Sequence, residues 1–171
     1  MELGIAGKTA LVCAASKGLG KGCAMALAAE GAKLVIMARQ ADTLAATAEA
    51  IRMATGAEVT TVVGDITTEA GRDVVLATCP APDILVNNAG TILRAPAAEH
   101  SDAYWDKVID VNLNAQFILA REFGQQMLER GRGKIIFTAS LLTFQGGITV
   151  PGYAASKGAI GSLVKALSNE W

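Results

Sequence analysis

Five short apolar runs, each followed by a stretch of helix formers, leave this chain few ways to fold. They are TALVCAA (9–15), KLVIMA (33–38), EVTTVVG (58–64), DILVNNAG (83–90) and GKIIFTAS (133–140). Between them lie KGCAMALAAEG, ended by Gly31, then QADTLAATAEAIRMAT, EAGRDVVLAT (69–78) and a long helical piece from Ser101 to Arg130. A further helix starts near Pro151, a residue tolerated in a first helical turn. Continuous apolar strands separated by helices predict an α/β chain whose parallel sheet is covered on both faces. No linker, low-complexity segment or repeat beyond this βα period interrupts residues 1–171, so one domain is expected.

Composition narrows the function. Of 171 residues, 51% are hydrophobic, enough to bury a core, yet no apolar stretch approaches the length of a membrane span. The opening MELGIAGKTALV has no secretory pattern, so a cytoplasmic protein without a membrane partner is expected. Fifteen basic and sixteen acidic residues leave a net charge of -1, with no basic cluster to follow a nucleic acid. Cys13, Cys23 and Cys79 are odd in number and scattered, which suits small apolar packing better than disulfides or metal ligation. His100, the single histidine, cannot build a multi-histidine site, so no metal is expected.

In such a sheet a ligand binds beyond the carboxyl ends of the strands, where the strand order reverses. The polar residues of this chain gather at those ends. Ser16 and Lys17 follow the first strand, Arg39 the second, Asp65 the third with apolar Ile66 beside it as a further candidate cofactor contact, Asn87 to Gly90 the fourth and Ser140 the fifth. In the first turn, Cys13-Ala14-Ala15-Ser16-Lys17-Gly18-Leu19-Gly20, the two glycines permit a tight turn and bring helix N–H groups close to a pyrophosphate. Position 14 is alanine, so this is not the GxGxxG fingerprint, and a turn placed only for helix–strand packing is the alternative. An acid ending the second strand would favour NAD, but Arg39 stands there and can pair with a 2′-phosphate, with Lys17 adding charge. NADP is therefore the expected cofactor, NAD the second choice, and two solvated surface charges the plain alternative. Asp65 could accept a hydrogen bond from an adenine amino group or cap a helix. Asn88, Ala89 and Gly90 have the small size that close approach to a ligand needs, a property shared by a packed turn.

The stretch SLLTFQGGITVPGYAASKG adds chemistry. Tyr153 and Lys157 stand at i and i+4, on one helix face, and Ser140 ends the fifth strand. A tyrosine ordinarily titrates near 10, and a neighbouring ammonium favours its phenolate. With no histidine nearby, Ser140 lacks a base to make it a nucleophile, so acyl transfer fits poorly. Hydride transfer at a carbonyl or secondary alcohol fits best.

CAASKGLG, NNAG at 87–90, Asn112 in DVNLN, Ser140 and Tyr153-Ala-Ala-Ser-Lys157 together resemble the classical short-chain dehydrogenases/reductases, with their TGxxxGxG and YxxxK motifs. The resemblance covers the whole chain. It implies a Rossmann-like doubly wound fold, here with five strands in the order 3-2-1-4-5. Family members run on past the position of Trp171, so the last strands are expected to be absent and the domain incomplete at its C-terminus. It also implies Tyr153 as acid/base, Lys157 on the nicotinamide ribose and beside the tyrosine, Ser140 on the substrate oxygen and Asn112 positioning a relay water. Arg39 and Lys17 match positions tied to NADP preference. FQGG, VPGY and NEW resemble the narrower set acting on deoxy-gluconate or keto-deoxy-gluconate. A 3-oxoacyl thioester reductase and a noncatalytic nucleotide-binding remnant remain as alternatives.

Cys13 and Ala14 replace the family's usual threonine and glycine, and the alanine is expected to shift the pyrophosphate or weaken its binding. The apolar excess in Tyr104 to Leu128 and in Ala159 to Trp171 predicts a homodimer or homotetramer built on these helices.

Overall fold

The computed structural model describes residues 3–171 and turns the five runs into five parallel strands. These are β1 (Thr9–Cys13), β2 (Lys33–Ala38), β3 (Val59–Val63), β4 (Ile84–Asn87) and β5 (Lys134–Phe137). Six α-helices accompany them: α1 (Gly18–Ala29), α2 (Ala41–Thr55), α3 (Glu69–Thr78), α4 (Asp102–Ile109), α5 (Ala115–Glu129) and α6 (Pro151–Glu170). The sheet order is β3-β2-β1-β4-β5, as the resemblance implied, so the order reverses between β1 and β4. In register, Ala10 stands beside Leu34 on one side and Ile84 on the other.

Each inner strand feeds two cores because side chains alternate across the sheet. Ala10 and Val12 of β1 pack with Leu34, Ile36, Leu44 and Ile51 in the layer under α1 and α2. Leu11 and Cys13 point the other way, to Val35, Met37, Leu119 and Phe123. Burial pushes the Cys13 thiol up to about 12 and Cys79 up to about 11, leaving both as inert packing groups. β5 lies at the sheet edge, and there Ile136 is half exposed.

The piece read as one helix from Ser101 to Arg130 is interrupted. α4 is capped by Ser101, whose side chain accepts from Tyr104 N, and passes through a π-helical turn, Asp110–Asn114, into α5. The wider turn accompanies the inward placement of Asn112, which is fully buried. Its Oδ1 accepts from Thr91 N at 2.8 Å, and its Nδ2 donates to Thr91 O and Ser156 Oγ, each at 3.0 Å.

Candidate active site

The glycine turn after β1 owes its shape to two backbone positions. Gly18 has φ +57°, a left-handed conformation that glycine takes without penalty. A Cβ on Gly20 would stand 2.3 Å from the Ala14 carbonyl oxygen and 2.6 Å from Asn88 Nδ2. Gly20 is thus required by the packing of α1 onto the strand ends. Ala14 takes φ +53°, so the alanine accepts the left-handed conformation rather than rerouting the turn. Thr47 of α2 anchors the turn by donating to the Ser16 carbonyl at 2.8 Å.

Beyond β1, β2, β3 and β4 lies a cavity of about 280 Å³. Of the sequence-read residues it is lined by Ala14, Ser16, Lys17, Arg39, Asp65, Ile66, Ala89 and Gly90. Gly18, Leu19, Gly20 and Asn88 stand outside that lining; the Leu19 side chain is exposed at the start of α1. Lys107 of α4 also reaches the cavity, a contribution with no signal in the sequence. Lys17, Arg39 and Lys107 therefore face one carboxylate, Asp65, a balance that suits an anionic ligand. Helix capping, the plain alternative for Asp65, falls instead to Thr68, whose hydroxyl accepts from Gly71 N at the start of α3. Asp65 Oδ1 accepts from Thr67 N at 3.0 Å and Thr67 Oγ1 at 2.8 Å. Burial alone would raise the Asp65 carboxyl, but these two bonds, Arg39 and Lys107 hold it below its ordinary value. The cavity and the glycine turn together fit the adenosine and pyrophosphate of a dinucleotide.

A chain of hydrogen bonds leads from this turn to the lysine of α6. Asn88 Nδ2 donates to the Ala14 carbonyl at 3.3 Å, and Asn88 Oδ1 accepts from Thr138 Oγ1 at 3.1 Å. The Thr138 carbonyl then accepts from Lys157 Nζ. Lys157 is buried, which pulls its ammonium below the usual value, and Nζ stands 5.8 Å from the centre of the Tyr153 ring. The Tyr153 hydroxyl has no hydrogen-bond partner among the described residues, and the residue is half-buried. Ser140 opens a short 3₁₀ turn, where its Oγ accepts from Leu142 N at 3.2 Å and keeps its own proton to donate. Thr143 Oγ1 accepts from Ser140 N at 3.3 Å and donates to the Lys157 carbonyl at 2.9 Å, tying the Ser140 loop to α6. Both N–H groups of the Asn112 amide are spent on Thr91 and Ser156, so a relay water finds no free donor on that side chain. Sequence reasoning missed Thr91, Thr138, Thr143 and Ser156, whose parts depend on contacts distant in the chain.

The family model described as short chain dehydrogenase matches residues 8–171. A 2-dehydro-3-deoxy-D-gluconate 5-dehydrogenase of Pseudoalteromonas atlantica is 56% identical, over 99% of this chain and 68% of its own length. The protein of the same description in Bacillus subtilis is 45% identical, over 96% of this chain and 65% of its own length. Among solved structures, L-sorbose reductase from Gluconobacter frateurii, complexed with NADPH and L-sorbose, superposes with a TM-score of 0.95 at 35% identity. That match covers 99% of this chain and 66% of the reductase. The chain spans about two-thirds of the length of these relatives.

Proposed function

Because the chain belongs to the short chain dehydrogenase family, we propose that it serves as an NADP-preferring oxidoreductase acting on a secondary alcohol or ketone of a sugar acid. The observation that carries this reading is the pair on α6. Lys157 is buried and hydrogen-bonded to the end of β5, and Tyr153 stands one helical turn away with its hydroxyl unspent. NADP, when bound, supplies or accepts the hydride at the carbon. In the reducing direction Tyr153 Oη gives its proton to the carbonyl oxygen, and in the oxidising direction it takes the proton from the alcohol. Lys157 holds positive charge beside the phenol and has N–H groups beyond the one given to Thr138 for a ribose hydroxyl. Ser140 donates to the substrate oxygen. Asn112 braces Thr91 and Ser156, so its part in a proton relay runs through the backbone it positions.

Arg39, with Lys17 and Lys107 nearby, is the partner of the 2′-phosphate in this reading. A cytoplasmic setting belongs to it as well, in keeping with three free cysteines. Among the described residues no helix is long and apolar enough to cross a membrane. The half-exposed Tyr104, Trp105, Phe117 and Val164 on α4, α5 and α6 favour self-association into a dimer or tetramer, which light scattering over a concentration series measures. The function is tested by nicotinamide absorbance with 2-dehydro-3-deoxy-D-gluconate, gluconate and a 3-oxoacyl thioester. Turnover of a sugar acid is expected. Turnover of the thioester alone would redirect the reading to acyl substrates, and cofactor binding without turnover of any of them would leave a nucleotide-binding unit.

A further inference from the structure

One ion pair in the cavity changes its meaning when a phosphorylated ligand arrives. Arg39 Nη1 stands 3.8 Å from Asp65 Oδ2. The two oxygens of this carboxylate do separate work: Oδ1 closes the turn after β3 through Thr67, and Oδ2 is directed at the guanidinium. Arg39 is the more exposed partner, at 70% of its side chain against 32% for Asp65, so it is the partner free to swing.

We propose that Asp65 is a specificity-determining residue that competes with the 2′-phosphate for Arg39 and so holds the preference for NADP over NAD below what Arg39 alone would confer. The inference rests on Arg39 being the phosphate's partner. Adenine, ribose and pyrophosphate are common to both cofactors, so any hydrogen bond that Asp65 accepts from the adenine amino group cancels in the ratio of affinities. Two effects do not cancel. Only the phosphorylated ligand must draw Arg39 away from Oδ2, and only that ligand brings a dianion up to the carboxylate. A carboxylate beside the arginine thereby keeps the site open to both cofactors.

The test uses adenosine 2′,5′-bisphosphate and adenosine 5′-monophosphate, which differ by the 2′-phosphate alone, with dissociation constants from calorimetry. Asp65→Asn keeps an oxygen for Thr67 while removing the charge opposite Arg39. Asp65→Ser, whose hydroxyl can still accept from Thr67 N, is the second variant should the first fold poorly. Either should raise the preference for the bisphosphate by about three- to tenfold, the scale of an exposed ion pair plus the lost repulsion. In an Arg39→Ala background the same substitution should raise the preference by less, because only the repulsion between carboxylate and phosphate is then left to remove. An unchanged or lowered preference in the Asp65 variants, while Arg39→Ala alone lowers it, overturns the competition and spares the reading of Arg39. If Arg39→Ala itself leaves the preference intact, the phosphate assignment fails and the competition falls with it.

Discussion

At the ends of β1, β2 and β3 the polar groups are placed by backbone conformation and face solvent, whereas at the ends of β4 and β5 they are sunk into the protein and bonded to one another. The first region works through Gly18 at φ +57°, Ala14 at φ +53° and the ion pair of exposed Arg39 with part-buried Asp65. In the second, Asn87, Asn112, Gln116, Ser156 and Lys157 are all buried; outside it, the one other buried polar side chain among the described residues is Thr47. Asn87 Oδ1 and Gln116 Oε1 have no partner among the described residues, but the other groups are paired, and since buried polar groups cost stability unless their partners are in place, those pairings hold the second region to one geometry. An exposed pair constrains little, and the first region can retune its ligand at small cost. Under the proposed function, cofactor preference is the adjustable property and the proton chemistry the fixed one.

The contrast breaks most sharply at Tyr153, half-buried in the second region with its hydroxyl unpaired among the described residues. Tyr153→Phe removes the proposed proton donor and keeps the packing, so turnover should fall by about 10²- to 10⁴-fold while stability moves by less than about 0.5 kcal/mol. Nicotinamide absorbance and a denaturant titration measure the two; wild-type turnover would remove Tyr153 from the chemistry. Asn112→Ala makes the opposite case. It strands the Thr91 N–H and carbonyl and takes one donor from the Ser156 hydroxyl, which keeps its bond to the Tyr153 carbonyl, and should cost about 2–4 kcal/mol in urea unfolding. A loss below 1 kcal/mol would mean that the region reorganises more freely than its burial implies. Ala14→Gly probes the region built from backbone. It relieves a left-handed alanine and should raise stability by about 0.5–1 kcal/mol, or a few degrees in the thermal midpoint. Tighter binding of adenosine 2′,5′-bisphosphate by this variant would show that Ala14 also crowds the pyrophosphate path; unchanged binding would limit its effect to strain.

The strands were legible in the sequence because a strand covered on both faces has nowhere to put a polar side chain, and runs such as KLVIMA announce it. The juxtaposition of Tyr153 and Lys157 was legible for a similar reason: i and i+4 on a helix are neighbours whatever the rest of the chain does. The π-helical turn at Asp110–Asn114 was not, since it accompanies hydrogen bonds from Asn112 to Thr91, 21 positions away, and to Ser156, 44 positions away. Lys107 was hidden likewise, an ordinary helical lysine until folding brings α4 to the cavity beyond β1–β4.

By itself, then, the sequence determined the alternation of strand and helix, the polar residues at each strand end and the spacing of Tyr153 and Lys157, because all of these rest on local periodicity. Tertiary structure decided what those residues touch. It turned Gly20 into a packing requirement against Ala14 and Asn88, let Ala14 take a glycine's conformation, and set Arg39 against Asp65 across two strand ends. It also joined the glycine turn to Lys157 through Asn88 and Thr138, which stand 50 positions apart in the chain. Such contacts depend on the order in which strands assemble, and no local pattern encodes the distance between the ends of two strands that only the folded sheet makes neighbours.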